Sequence, residues 1–272
     1  MRKIYLWGIP VVLIFFFLQL VQAAPVCERH YVVGFMSTPP VYFYKSGKKL
    51  GVGYELSMEA VKRLGCRYTE FVGSVSSVLT AFSRNQVDFV GPISNRVSFD
   101  KSEFVELWRS KRRLLIRKEK SVTGIASPSF YVKESKLVFG ALIRGNFYLS
   151  KEEIELLQNQ NRLKSFINGD DLMRALKEGR IDAVIAGPSI FNHYLDKVVQ
   201  TQNYVLLDDL STGEMVWGFY LSKSRMNSRE LQGLISVFRN MKNDGSVERI
   251  LQKYQAVDDE LRKISMLTGG QL

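Results

Sequence analysis

Cysteine and histidine each occur only twice among the 272 residues of this chain. Two cysteines exclude a scaffold held by many disulfides. His30 and His193 are far apart and lack the H-E-x-x-H spacing of a zinc site. The chain also lacks a G-x-S-x-G motif and a P-loop. We therefore expect no metal and no cofactor, and we predict that the protein is not an enzyme.

Acidic residues are too few to balance the basic ones, 27 against 38, and the formal charge is +11. The basic residues are spread along the chain and are not interleaved with aromatic residues on one helix. This indicates solvated faces rather than a nucleic-acid surface, and we expect no nucleic acid among the partners. Hydrophobic residues make up 46% of the chain, enough for the core of one large domain or of two lobes.

The N-terminus has the pattern of an export signal. Arg2 and Lys3 precede eight apolar residues (11–18), and the small-residue site V-Q-A follows at 21–23. We predict a cleaved signal peptide over residues 1–23, whose removal lowers the formal charge from +11 to +9. An uncleaved membrane anchor is the alternative, although the apolar run is short for a span. The expected location is the periplasm of a Gram-negative type of cell.

The two cysteines are placed so that they can form one bond. Cys27 precedes the first predicted strand and Cys66 ends the first predicted helix. In an exported chain an even count indicates a disulfide, which would add about 3–4 kcal/mol in the chain-entropy model. Two free, buried cysteines are the alternative.

A strand–helix–strand–helix–strand pattern occurs twice, and each copy is typical of half of a doubly wound α/β sheet. In the first copy the strands are Tyr31–Phe35, Arg67–Val72 and Val87–Val90, and helices end near Leu64 and run from Ser76 to Phe82. In the second copy the strands are Leu137–Leu142, Arg162–Ile167 and Ile181–Ala186, and helices begin near a capping box at Ser150 and at Gly169.

Two extended segments, near 104–118 and 213–223, bracket the second copy and predict a hinge between two lobes. We expect lobe one to comprise residues 24–112 and 219–257, and lobe two with the hinge strands to comprise residues 113–218. Residues 258–272 are expected to form a C-terminal tail.

One stretch, Val87–Phe104, indicates where a ligand binds. Its strand is expected to end at Val90, because Gly91-Pro92 follows, and a polar loop with a single arginine, Arg96, comes next. Ligands of open α/β sheets bind beyond the carboxyl ends of the strands. The loop is therefore predicted to lie in a cleft and to touch a small anionic or zwitterionic ligand.

Six motifs occur in a family-specific order between about Tyr31 and Gln255. They are P-P-V-Y-F-Y, G-V-G-Y-E-L, Q-V-D-F-V-G, S-E-F, E-G-R-I-D-A-V-I-A and G-S-V-E-R-I-L-Q-K-Y. With these motifs the chain resembles the bacterial extracellular solute-binding proteins of family 3, the periplasmic receptors for polar amino acids in ABC importers. The resemblance implies the type II two-lobed periplasmic-binding-protein fold, a monomer, and a small amino acid or organic acid handed to a membrane permease.

The ligand grip of that family is altered in this chain. The arginine that clamps the ligand carboxylate falls on Ser98, two residues after Arg96. The acid that holds the ammonium group falls on Gly187. We predict the following ligand-binding residues: Tyr42, Ser94, Arg96, Arg144, Asn146 and Gly187. Ordinary packing is the alternative role for Tyr42, and a solvated surface charge is the alternative for Arg96 and Arg144.

Two other functions remain open at this point. A similar binder can report its ligand to a membrane sensor protein instead of a permease, and the altered grip favours that hypothesis. Some relatives with this fold are periplasmic dehydratases, for which Glu55 is the nearest candidate acid or base.

Overall fold

The computed structural model describes residues 29–122, 127–143, 148–187, 190–191, 193–194, 203–208 and 214–255. Their strands form two five-stranded mixed sheets and one two-stranded hairpin. Each five-stranded sheet has its own buried hydrophobic core. We call the sheet that contains the first strand, with its helices, lobe one, and the other sheet with its helices lobe two.

The sheet of lobe one has its first strand at the centre of a parallel trio. The strands of this lobe are β1 (Tyr31–Met36), β2 (Phe43–Lys45), β3 (Lys48–Leu50), β4 (Tyr68–Gly73), β5 (Phe89–Ser94), β6 (Ser102–Ser110) and β12 (Met215–Ser222). The sheet order is β4-β1-β5-β12-β6, and β2 pairs with β3 as a separate hairpin. β1 lies parallel to β4 and β5, whereas β12 is antiparallel to β5 and β6. The predicted doubly wound arrangement is confirmed for this lobe.

Helix α1 (Val52–Leu64) packs on this sheet through a stripe of fully buried residues that includes Leu56 and Ala60. Burying a leucine side chain contributes roughly 2 kcal/mol. The helix ends at Gly65, as the sequence predicts, because its backbone is in the left-handed region at φ 66°, which favours glycine.

Helix α2 (Val75–Ser83) covers the other face and begins one residue after its N-cap, Ser74. The Ser77 backbone N–H donates to the Ser74 Oγ at 3.2 Å. The prediction that Ser76 caps this helix was wrong. Ser74 has the extended backbone that an N-cap requires, whereas Ser76 already lies inside the helix.

Strand β5 continues through Gly91-Pro92, so the prediction that it ends at Val90 was wrong. β1 pairs only with the first two residues of β5, and the pairing with β12 is irregular between Gly218 and Tyr220. A proline, which has no N–H to donate, is tolerated at such an irregularity. β5 therefore carries Ser94 to the carboxyl edge of the sheet.

Lobe two repeats the plan of lobe one. Its strands are β7 (Arg113–Arg117), β8 (Phe139–Leu142), β9 (Leu163–Phe166), β10 (Ala183–Ala186) and β11 (Tyr204–Asp208), in the order β11-β7-β10-β8-β9. Its helices include α3 (Pro128–Lys133), α4 (Lys151–Asn159) and α5 (Gly169–Lys177), and a 3-10 turn spans Lys118–Lys120. β8 is parallel to β9 and β10, and β7 is antiparallel to β10, so the second doubly wound unit is also confirmed.

The chain leaves lobe one between β6 and β7, where Lys111 and Arg112 separate the two strands. It returns through β12, which pairs with β5 and β6 from Met215 onward. Residues 215–218, part of the second predicted hinge segment, thus pair in the sheet of lobe one, and the lobe boundaries stay predictions.

Two C-terminal helices complete lobe one on the side of α1: α6 (Ser228–Asn243) and α7 (Ser246–Gln255). Glu55 of α1 holds α7 in place. The Tyr254 hydroxyl donates to one of its oxygens at 2.5 Å, and Lys253 Nζ lies 2.6 Å from the other.

A buried carboxylate, Asp88, ties the N-terminal end of lobe one to the turn after β12. Arg29 and Arg225 donate to it at 2.6 and 2.8 Å, and the Val32 backbone N–H donates at 2.6 Å. Burial alone would raise the pKa of Asp88, but these hydrogen bonds outweigh it and the pKa is lowered. The anchored form is therefore the charged carboxylate.

The predicted signal peptide, the predicted tail and Cys27 lie outside the described residues. Cys66 is not a free thiol, and its pairing with Cys27 stays a prediction. Within the described ranges, no helix combines the length and the apolar character that a membrane span requires.

Candidate functional site

A cavity lies where the carboxyl edges of the two sheets face each other. Lobe one contributes Thr38 and Pro39, which follow β1, and lobe two contributes the ends of β8 and β10 together with α5. Its described walls are Thr38, Pro39, Ala141, Leu142, Tyr148, Leu149, Gly169, Leu172, Met173, Val184, Ile185, Ala186, Ile190 and Tyr194. The free volume is about 20 Å³, room for about one water molecule. The two lobes are therefore in contact over this cavity.

Tyr148 fills the space at the end of β10. Its hydroxyl lies against Gly187, whose backbone N–H donates to it, and a Cβ atom added at Gly187 would overlap that hydroxyl. Burial raises the pKa of Tyr148 above its ordinary value, and the N–H offsets only part of that rise. Tyr148 is therefore a neutral hydroxyl where the sequence resemblance places an acid.

Tyr194 forms another wall of the cavity. Its side chain is 1% exposed, and its hydroxyl, which lies against Gly169 of α5, has no hydrogen-bond partner among the residues that the structure describes. Burial, with the nearby charge of Asp170, raises the pKa of Tyr194. A buried hydroxyl without a partner is costly, and it stands ready to donate to an oxygen that enters the cavity.

Arg112, at the crossing between the lobes, fixes the segment that carries Tyr148. Its guanidinium is 1% exposed and donates to the two Glu153 carboxylate oxygens at 2.6 and 2.7 Å and to the Tyr148 carbonyl at 2.9 Å. Glu153 also forms the capping box with Ser150 that starts α4, as predicted from the sequence. Arg112 thus links the crossing between β6 and β7 to the segment that carries Tyr148.

Trp217 lies on β12, the second crossing segment, and contacts Tyr148 from there. Its ring lies 5.3 Å from the ring of Tyr148 and is stacked on Trp108 at 6.4 Å. Its Nε1 donates to the Ser110 Oγ at 2.9 Å, which links β12 to β6. Trp217 also faces Ser94 in the pairing of β12 with β5.

The structure brings two of the predicted ligand residues to one loop. Ser94 is fully buried at the end of β5, and the Arg96 backbone N–H donates to its Oγ at 3.3 Å. Arg96 is exposed, and among the described residues no acid pairs with its guanidinium. Gly187 lies at the end of β10 in lobe two, while Arg144 and Asn146 lie outside the described residues. The ligand roles of these residues stay predictions.

Tyr42 lies in the core of lobe one. It is 0% exposed, stacks on Phe35 at 5.2 Å, and donates its hydroxyl to that of Tyr44 at 3.0 Å. Burial raises its pKa, as does the nearby charge of Glu70, which Lys49 holds at 2.8 Å. Tyr42 thus packs in the core of lobe one, and its predicted ligand role stays a prediction.

Glu55, the candidate acid or base of a dehydratase, binds Lys253 and Tyr254 on the α1–α7 side of lobe one and does not line the cavity. The groups of histidine, cysteine and acidic residues that a metal needs are absent from the described ranges.

Several solved structures match this chain over 83–86% of its length. An ancestral arginine-binding protein bound to arginine is 19% identical, with a TM-score of 0.66, over 83% of this chain and 97% of that one. The chain has the two-lobed fold of the periplasmic binding proteins. The arginine-, lysine-, histidine-binding protein ArtJ from Geobacillus stearothermophilus is 17% identical, with a TM-score of 0.67, over 86% and 100% of the two chains.

A histidine kinase sensor domain with similarity to periplasmic binding proteins matches equally well. It is 18% identical, with a TM-score of 0.66, over 83% of this chain and 96% of that domain. At these identities the likeness establishes the fold. No protein-family model and no curated protein sequence matches the chain.

Tyr148, Tyr194 and Trp217 were not among the residues predicted from the sequence. A local signal exists for Tyr148, since Leu149 and Ile154 stand at the two positions of a hydrophobic staple around the Ser150 cap, which orients the chain just before α4. For Tyr194 and Trp217 the neighbours that define the site come from distant parts of the chain.

Proposed function

We propose that this protein is an exported solute-binding protein that closes its two lobes over a small polar ligand, an amino acid or a related small acid. In this proposal it acts as a monomer and hands the ligand to the membrane permease of an ABC importer, as a divergent member of the extracellular solute-binding proteins of family 3. The cavity that carries the proposal has walls from both lobes. Two crossing segments connect these lobes and can serve as a hinge.

Arg96 supplies a charge suited to the acid group of such a ligand. It is exposed beside the carboxyl end of β5, and among the described residues its guanidinium has no acid partner. A guanidinium binds a carboxylate through two parallel hydrogen bonds, and an unpaired one has both donors available. The Ser94 hydroxyl, which accepts the Arg96 backbone N–H at 3.3 Å, is a second polar group beside it.

Calorimetric titration with amino acids and small organic acids tests the proposal, and small-angle X-ray scattering of the same samples reports closure. Binding with a decrease in the radius of gyration is expected. Arg96→Ala should weaken a carboxylate ligand by about tenfold or more, since charge-assisted hydrogen bonds contribute roughly 1.5–3 kcal/mol. Arg67→Ala, which removes another exposed arginine of lobe one, is the control and should change nothing. No binding across the whole panel would contradict the proposal.

A sensor is the second candidate, favoured by the likeness to the histidine kinase sensor domain. A sensor would bind its ligand in the same cleft and dock on a membrane signalling protein instead of a permease. Neighbouring genes for a permease and an ATPase would support transport, whereas a neighbouring sensor-kinase or cyclase gene would support signalling.

A further inference from the structure

We infer that the lobe-two side of the cleft takes a ligand group that is uncharged, mostly apolar, and equipped with one oxygen that accepts a hydrogen bond from Tyr194. This inference rests on the proposed function, because it specifies which chemistry the bound solute presents to this wall of the cleft.

The Tyr194 hydroxyl provides the first argument. It is buried and has no hydrogen-bond partner within the described part of the chain, and it lies against Gly169, which is both a cavity wall and the first residue of α5. Another buried tyrosine of the same lobe, Tyr131, has its hydroxyl bonded to the Val122 backbone N–H at 2.9 Å. Tyr194 thus has an unused hydrogen-bond donor at the cavity, which an oxygen of a ligand can satisfy.

The chemistry of the walls provides the second argument. Apart from the two tyrosines, the described walls have no ionisable side chain, and most are hydrocarbon. A charge placed there loses its water without gaining a counter-ion from these walls. The N–H groups at the start of α5 would favour an anion, but Asp170 and Asp171 stand in the same turn and oppose one. A neutral oxygen, such as that of a ketone, an amide or an alcohol, fits these walls.

The lid of the cavity provides the third argument. Thr38 and Pro39 are its described walls from lobe one, so the lobes must part to admit anything larger than the single water that fits in the closed form. Met173, an unbranched and adaptable side chain, lies in the wall and can adjust to a ligand. Binding in this cavity is therefore coupled to opening and closing of the lobes.

Four six-carbon carboxylates that differ only in the far end test the inference: 5-oxohexanoate, hexanoate, 6-aminohexanoate and adipate. By calorimetry, 5-oxohexanoate should bind best, about fivefold tighter than hexanoate, which is the effect of one neutral hydrogen bond. 6-Aminohexanoate, with its ammonium group, and adipate, with its second carboxylate, should bind most weakly.

Tyr194→Phe should remove the preference for 5-oxohexanoate without lowering the melting temperature of the unliganded protein, because it removes a buried hydroxyl that has no partner among the described residues. The control, Tyr131→Phe, should lower the melting temperature and leave the preference intact. If the Tyr194 hydroxyl had a purely structural role, Tyr194→Phe would lower the melting temperature and leave the preference for 5-oxohexanoate intact.

Two results would overturn the inference: tightest binding of 6-aminohexanoate or adipate, or a ketone preference that survives Tyr194→Phe. If none of the four binds while an amino acid closes the lobes, the cavity holds only a water molecule. The inference then fails and the proposed function stands. If no amino acid or organic acid closes the lobes, the proposed function itself fails.

Discussion

The ion pair of Arg112 and Glu153 allows a test of how much the crossing between β6 and β7 contributes to stability. Arg112 is 1% exposed, Glu153 is 12% exposed, and the guanidinium makes three hydrogen bonds with Glu153 and the Tyr148 carbonyl. Arg112→Met keeps much of the side-chain volume but leaves a nearly buried carboxylate without its partner. Such a change costs about 3–5 kcal/mol of the free energy of unfolding.

Urea denaturation followed by tryptophan fluorescence measures that cost. Arg109→Met is the matched control, because Arg109 also pairs with a glutamate, Glu106, but in a solvated position where salt bridges contribute little. Glu153→Gln, which can still accept the Ser150 capping bond, completes a double-mutant cycle with Arg112→Met. A coupling free energy above about 1 kcal/mol is expected. The reasoning is refuted if Arg112→Met costs no more than Arg109→Met.

Three further predictions concern other parts of the molecule. Hydrogen bonds lower the pKa of the buried Asp88 carboxylate, so its contribution to stability is full above the unfolded-state pKa of about 3.9 and is lost as the pH falls through the folded-state pKa. Urea midpoints measured from pH 6 downward should show this loss, and the Asp88→Asn variant should lack it. Reduction of the predicted bond between Cys27 and Cys66 should cost about 3–4 kcal/mol, and Cys66→Ser should remove the effect of the reductant on the melting temperature. Gly187→Ala should displace the Tyr148 hydroxyl and weaken ligand binding in calorimetry, and the double variant with Tyr148→Phe should regain part of the affinity. Normal binding by the Gly187→Ala single variant would contradict the contact.

The architecture could be predicted because its signals are local. Buried strands such as β1 and β10 are continuous apolar runs in the sequence, and the Ser150–Glu153 capping box marks the start of α4. The extension of β5 through Gly91-Pro92 could not be predicted, because the irregular pairing that tolerates the proline belongs to β12, more than a hundred residues later.

The candidate site was less predictable because its contacts are between distant residues. Nothing near Tyr194 in the sequence indicates that its hydroxyl will lie over Gly169, and nothing near Tyr148 indicates Gly187. For Tyr42, the local pattern of two prolines followed by aromatic residues is the same for a cleft wall and for a core residue. The stacking of Tyr42 on Phe35 is visible only in the fold.

Closure of the two lobes on a ligand is the central claim, and the distance between the lobes tests it most directly. Spin labels on cysteines introduced at Tyr44 of lobe one and Ile167 of lobe two, which are 60% and 82% exposed, allow that distance to be measured by pulsed electron paramagnetic resonance. A ligand that saturates the protein in calorimetry should convert a broad distance distribution into a shorter, narrow one. A distribution that stays the same at saturation would contradict the account.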